Sequence, residues 1–228
     1  MNKILTEWRR YLTESGLSRV HQHITEHDCA IFSGFRGDIQ DTSACTDKAI
    51  SPDEGDTNMN RNREIKAILE AYKDDDGNHV YGVTKVDGAW VEDYGLPSAK
   101  EEKEKSLFAV NLGDDPNFVD MILDLGERYC QDAVLIIPKG GKGVYLMGTN
   151  NAEFPSYGNK IDQGSVSFGD EGAEFKTRVK GRPFSASPDE EEITEELETY
   201  KTLSRWGRMS VNGIAASYRK KIKNKTES

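Results

Sequence analysis

No stretch of this chain approaches the roughly 18 consecutive apolar residues of a membrane span, so the sequence reads as a soluble protein with no membrane partner. Cysteine is scarce. The three residues Cys29, Cys45 and Cys130 are odd in number and widely spaced, which fits a reducing cytosol and not a disulfide framework. Apolar residues make up 36% of the chain and charged residues 31%, so a core is affordable but much of the chain must lie at the surface. Positive charge is in deficit: the net charge of -10 argues against broad binding to nucleic-acid backbones, which needs basic patches. A long apolar h-region is missing, which excludes a secretory signal. There is no paired Cys-x-x-Cys, no phosphate-loop signature and no supported Ser/His/Asp or Cys/His arrangement, so neither a metal nor a cofactor is expected.

The charge that is present is unevenly placed. Asp38, Asp41, Asp47, Asp53, Glu54 and Asp56 make an acidic stretch opposed only by Lys48, and residues 38–58 read as a loop or insertion. A Lys/Glu run occupies 100–105. Glutamates crowd residues 190–198, and Lys201, Arg205, Arg208, Arg219, Lys220, Lys221, Lys223 and Lys225 follow. Acid first and base last suits the dipole of one long helix, or of two joined near Gly207 or Gly213, and the basic tail is where nucleic acid or an acidic partner would find a contact.

The periodicities give a coarse fold. Residues 28–33 read as a strand, and Ile65, Ile68, Leu69 and Tyr72 recur at helical spacing within 60–72. Val80 to Val86 reads as a strand turning at Asp87-Gly88 into a partner at 89–92. Residues 106–111 form a further strand. Asp115-Pro116 opens a helix with Phe118, Met121, Ile122, Leu125 and Tyr129 on its apolar side, and 133–137 is a buried strand. Lys139 to Gly143 turns the chain into 144–147, and strands at 165–168 and 173–179 flank a turn at 169–172. This order implies an α+β fold: a mixed, mainly antiparallel sheet with helices packed mostly on one face. A short N-terminal helix and a long C-terminal helix complete it. The expected organisation is a leader at 1–15, a core domain at 16–188 and a helical segment with a basic tail at 189–228.

The leader carries Ile4, Leu5, Trp8, Tyr11 and Leu12 on one helical stripe and ends in Leu12-Thr13-Glu14-Ser15. It resembles the capsid-targeting leaders of internal proteins of T-even-like tailed phages. That resemblance implies binding to the phage scaffold core, cleavage by the prohead protease between Glu14 and Ser15, and presence in the virion and then the host cytoplasm. The plainer reading is a helix docked on its own core. A second likeness rests on Ile31 to Arg36, Asn60 to Arg63, Tyr81-Gly82-Val83, Gly88 to Glu92, Glu104 to Phe108 and Tyr129 to Asp132. Across roughly residues 28–148 the chain is similar to a small uncharacterised domain of tailed phages and bacteria, which implies phage origin but no activity.

The best candidate site joins the end of the first strand to the start of the first core helix. Ser33 and Arg36 leave the strand, while Asn60, Arg61, Asn62 and Arg63 open the helix, where free N–H groups and arginines suit an anion. Glu92, Glu104, Ser106 and Gln131 would add polar contacts if the sheet brings them close. The competing reading has Asn60 capping the helix and the arginines pairing with the acidic loop. His21, His23, His27 and Cys29 form a second cluster, better read as surface histidines beside a core cysteine than as a metal site. Glu174-Phe175-Lys176 fits the Glu-x-Lys of metal nucleases, but so do two other triplets in this Glu- and Lys-rich chain.

The expectation is therefore a non-enzymatic protein carried in the virion and acting on a host protein after injection. The alternatives are a cytosolic nucleotide- or phosphate-binding module or enzyme at the Ser33/Arg36/Arg63 site, and a structural virion protein.

Overall fold

A computed structural model describes residues 17–92, 100–168, 175–179 and 182–187. The expected leader at 1–15, with Glu14 and Ser15, and the expected helix at 189–228 lie outside the described residues. Helix α1 covers residues 17–26. Strand β1 (Cys29–Phe32) follows, then α2 (Asn58–Ala71), β2 (Tyr81–Glu92), β3 (Lys100–Asn111) and α3 (Phe118–Arg128). The remaining strands are β4 (Ala133–Ile137), β5 (Lys142–Gly148), β6 (Lys160–Phe168), β7 (Phe175–Val179) and β8 (Arg182–Ser187). Among the described residues no helix is long and apolar enough to cross a membrane.

The strands close into a barrel in the order β1-β3-β2-β7-β8-β6-β5-β4, every pairing antiparallel. This overturns the expected α+β layer with helices on one face. The apolar patterns locate strands well but do not say which strand pairs with which, and closure depends only on pairing. A closed barrel leaves no sheet edge to protect.

Strand alternation divides the core into two. Cys29 and Ile31 of β1, Phe108 and Val110 of β3, Leu135 and Ile137 of β4, and Val144 and Leu146 of β5 fill the interior with Val86, Phe184 and Ala186. Their neighbours Ala30, Phe32, Leu107, Ala109, Val134 and Ile136 face outward onto Ile65 and Leu69 of α2 and Phe118, Ile122 and Leu125 of α3. Strands covered on both faces must be apolar throughout, which is why β1 and β4 read as unbroken apolar runs. Helix α1 joins the interior cluster through Val20 and Ile24. Its end is fixed by the Gly140 N–H donating to the Ile24 carbonyl at 2.8 Å. Gly141 has φ +70°, and a Cβ there would lie 2.9 Å from Ile24 Cγ2, so the β4–β5 turn needs glycine on both counts.

Three local expectations are corrected. Asp87-Gly88 is not a turn: β2 runs straight through it, with Asp87 opposite Lys105 and Gly88 opposite Glu104. Glycine here marks a close approach within the sheet, since a Cβ on Gly88 would lie 2.4 Å from Ser106 Oγ. Strands β6 and β7 do not pair with each other, because β8 lies between them. The cysteines are not all free: Cys45 and Cys130 form a disulfide with 5.1 Å between their Cα atoms. A separation of 85 residues left no spacing signal for it. The bond pins the acidic loop to the end of α3, where the Ile50 N–H donates to the Arg128 carbonyl at 2.8 Å. Lys48 there pairs with the mostly buried Glu127 at 2.7 Å.

Candidate active site

The polar residues cluster where β1 leaves the barrel. Its pairing with β3 ends at Phe32 opposite Leu107, and the next residues are held by side chains. Buried Ser33 accepts the Phe35 N–H through Oγ at 2.9 Å and donates to the Lys105 carbonyl at 3.2 Å. Helix α2 begins two residues before Asn60, and its N-cap is Thr57, whose hydroxyl accepts the Asn60 N–H at 3.2 Å. That phase turns Arg61 and Asn62 inward, where both are buried. Arg61 Nε donates to the Gly34 carbonyl at 2.8 Å and its Nη2 to the Tyr129 carbonyl, with the guanidinium 5.4 Å from the Tyr129 ring centroid. Asn62 accepts the Gly34 N–H at 2.7 Å and donates to the Lys105 carbonyl at 2.6 Å. Gln131 Nε2 reaches the carbonyls of Phe35, at 3.3 Å, and Tyr129, at 3.1 Å.

Beside this brace lies a cavity of about 450 Å³ lined by Phe35, Gly88, Glu104 and the charged residues Asp87, Lys103, Lys105 and Arg178. Glu104 and Ser106 share the face of β3 that carries Phe108 and Val110 into the barrel. Ser106 Oγ donates to Glu104 Oε1 at 3.0 Å. Glu104 meets solvent at the cavity, yet the protein crowded around it holds its carboxyl above the ordinary carboxylate range; the Ser106 hydrogen bond opposes that shift and the Asp132 charge adds to it. Asp87 is paired with Lys105. Among the described residues no cation pairs with Glu104.

Of the residues singled out from sequence, Ser33, Glu104, Ser106, Arg61 and Gln131 are thus drawn around one end of the barrel. Arg36 lies at its edge, exchanging backbone hydrogen bonds with the Asn58 amide at 2.9 Å and placing Nη1 3.2 Å from Cys45 Sγ. Asn60 and Arg63 face outward and bond each other at 3.2 Å. Glu92 is at the far end of β2, opposite Lys100. Arg61 does not open to an anion. Its hydrogen bonds go to backbone carbonyls, and the nearby 260 Å³ cavity is lined by Asp53, Glu54, Asp56 and Glu64. Burial draws the Arg61 guanidinium below its ordinary value, with the charges of Asp56 and Glu64 opposing. His23 and His27 stand 6.2 Å apart between ring centroids, and no group of three metal-ligating residues forms among the described residues. Cys29 is fully buried, its thiol pushed far up by desolvation.

Sequence reasoning missed Phe35, Asp87 and Arg178 as cavity residues and took Gly88 for a turn. The glycine within a β-propensity run was the available signal.

Among the described residues, this end of the barrel thus combines a cavity of ligand size with a crowded carboxylate facing it, the room and the charge that a small cationic molecule requires. The sequence profile of the S-Adenosylmethionine lyase family matches residues 48–210, most of the chain, and the chain belongs to that family. No curated protein matches it. Membership corrects the resemblance to an uncharacterised domain and overturns the expectation of a non-enzymatic virion protein: a lyase family is one of enzymes. Glu104, Ser106, Arg61, Asn62 and Gln131 all fall inside the matched segment; Ser33 and Phe35 precede it.

Proposed function

We propose that the protein is an enzyme that cleaves S-adenosylmethionine, and that the cavity at Glu104 is where it does so. The observation that carries this placement is a crowded carboxylate, bonded by a neutral hydroxyl and unpaired with any described cation, facing a cavity of ligand size. S-adenosylmethionine bears a sulfonium, an ammonium and one carboxylate, so its net charge is positive. An unpaired carboxylate suits that charge, and Phe35 offers an aromatic face to a cation or to the adenine ring. Lys103, Lys105 and Arg178 line the same cavity and make its wall positive on that side, Lys105 while paired with Asp87, which suits the end of the substrate that bears the carboxylate.

The chemistry demands little of the protein. A sulfonium leaves as a neutral thioether, so the C–S bond is already activated. A lyase adds no water, and the substrate contains its own nucleophile. Attack of its carboxylate oxygen on Cγ forms a C–O bond and breaks the Cγ–S bond, giving a lactone and methylthioadenosine with no net proton transfer. The protein's part is then to bind, to fold the methionine chain into the attacking shape and to keep water away. Glu104 holds the ammonium end in this scheme, and it does so in its ionised form.

Incubation of the purified protein with S-adenosylmethionine, followed by chromatography, tests the proposal. Wild-type protein is expected to release methylthioadenosine, and Glu104→Gln to lose at least 100-fold in kcat/KM, on the order of the loss for an electrostatic group in an active site. No consumption of substrate by folded wild-type protein between pH 6 and 9 refutes the activity. Activity in Glu104→Gln within threefold of wild type refutes the site while leaving the activity standing.

A further inference from the structure

The ladder between β1 and β3 stops at Phe32 opposite Leu107, one residue short of the Glu104–Ser106 segment. Beyond that point β3 has no strand partner on the β1 side among the described residues, because the chain turns away at Gly34. The Asn62 side chain takes the place of the missing strand. Its carbonyl oxygen accepts the Gly34 N–H at 2.7 Å and its NH2 donates to the Lys105 carbonyl at 2.6 Å. One amide thus bonds the departing strand on one side and the remaining strand on the other, as a peptide group would.

The contact has no slack. A Cβ on Gly34 would lie 3.0 Å from Arg61 Cβ and 3.1 Å from the Asn62 backbone nitrogen, so the turn rests directly on α2. Asn62 is 3% exposed, and a buried amide at this depth is retained only with its bonds made. The carbonyl it holds belongs to Lys105, the residue between Glu104 and Ser106. Fixing that peptide fixes the direction in which both flanking side chains leave the strand.

We infer that Asn62 is a positioning residue for Glu104: its amide, by bonding both Gly34 and Lys105, sets where the Glu104 carboxylate stands in the cavity. The inference rests on the activity proposed above. It requires one acceptor and one donor on the same side chain. An ionised carboxylate at this position keeps the acceptor for Gly34 but turns lone pairs onto the Lys105 carbonyl. A protonated carboxyl restores the donor. The charged residues bonded at the same turn are Arg61 on α2, which donates to the Gly34 carbonyl, and Lys105 on β3, with Glu104 adjacent in sequence.

Asn62→Asp is the test, read as the ratio of its kcat/KM to that of wild type from pH 5.5 to 8.5. Thermal melts at each pH confirm that the variant is folded. The ratio is expected to be about 0.01 at pH 8 and to recover at least tenfold toward pH 5.5, with KM within threefold of wild type at pH 8. A ratio near one throughout overturns the inference. So does a low ratio that is flat with pH, since a loss indifferent to the proton on that side chain is not loss of its donor. If the variant shows no cooperative melt, Asn62→Gln decides, because it keeps the donor and the acceptor but moves both by one methylene from Gly34 and Lys105. It is expected to lower kcat about tenfold and to shift the acid limb of the pH profile; an unchanged kcat and acid limb overturns the inference. Wild-type protein without activity would instead remove the reading beneath it.

Discussion

Reducing the Cys45–Cys130 bond is expected to destabilise the protein strongly, chiefly through the unfolded chain. The bond joins residues 85 apart, and closing a loop of that length removes about 4.5 kcal/mol of chain entropy from the unfolded state. Little of this is returned on reduction through loss of native contacts. The loop stays docked by the Ile50 N–H on the Arg128 carbonyl, the Asn151 N–H on the Ala44 carbonyl and Lys48 on Glu127. The effect therefore falls on the unfolded chain. At about 2–4 °C per kcal/mol for a protein of this size, the melting temperature should drop by roughly 9–18 °C in a phosphine reductant, and by a similar amount in Cys45→Ser. Circular dichroism melts with and without reductant measure the shift. Thiol titration in denaturant supplies the chemical control, with Cys29 as the reactive thiol before reduction and all three cysteines after it. Native protein should react at none of them, because Cys29 is buried and its thiol is held far above its ordinary range. Three reactive thiols in unreduced denatured protein, or a melting temperature that moves by less than 2 °C, would refute the reasoning.

Two further predictions concern the cavity. Gly88→Ala drives a Cβ to 2.4 Å from Ser106 Oγ, with both positions held in strands; the expected outcome is a loss of about 1–3 kcal/mol in chemical denaturation and a tenfold fall in kcat/KM. Unchanged values in both would show that the Ser106–Glu104 bond is not fixed by the sheet. Glu104→Gln should stabilise the protein while inactivating it. The folded-state carboxyl is raised above its ordinary value, so the native state holds its proton to higher pH than the unfolded chain does, and stability falls as pH rises through that window. The variant should therefore melt higher than wild type at pH 8, with the difference vanishing below about pH 4, where both states are protonated; an equal difference at both pH values would refute it.

Most of the elements were legible in the sequence, and the barrel was not. The helix from Phe118 and the strands at Cys29–Phe32 and Ala133–Ile137 stand where the apolar spacing places them, because each buries faces that must be apolar whatever the partner. Strand partnership leaves no such mark. Gly88 shows the cost: within a β-propensity run a glycine reads equally as a turn or as room for a neighbour, and only the position of Ser106 decides. The disulfide was hidden for the same reason, since its two ends meet only once α3 and the acidic loop are folded. The site was half legible. Ser33, Glu104, Ser106 and Gln131 were chosen as polar residues beside strand ends, and the fold gathers them. The anion site expected at the helix start depended on helix phase. Starting α2 at Asn58 turns Arg61 onto backbone carbonyls, where a sequence reading had it facing a ligand.

The family match begins at residue 48, yet the barrel cannot close without what precedes it. Strand β1 pairs with β3 on one side and β4 on the other, so removing it would leave both with open edges. The same segment delivers Phe35 to the cavity, bonds the Lys105 carbonyl through Ser33 and ties into α2 through Arg61 and Asn62. The carboxylate lies within the family segment, while part of the wall around it is supplied by the preceding strand and its exit. Residues 29–36 thus carry two duties, closing the sheet and shaping one wall of the cavity. The first is met by four small or apolar residues of β1. The second is met by the polar turn that follows, and Asn62 is where the two are joined.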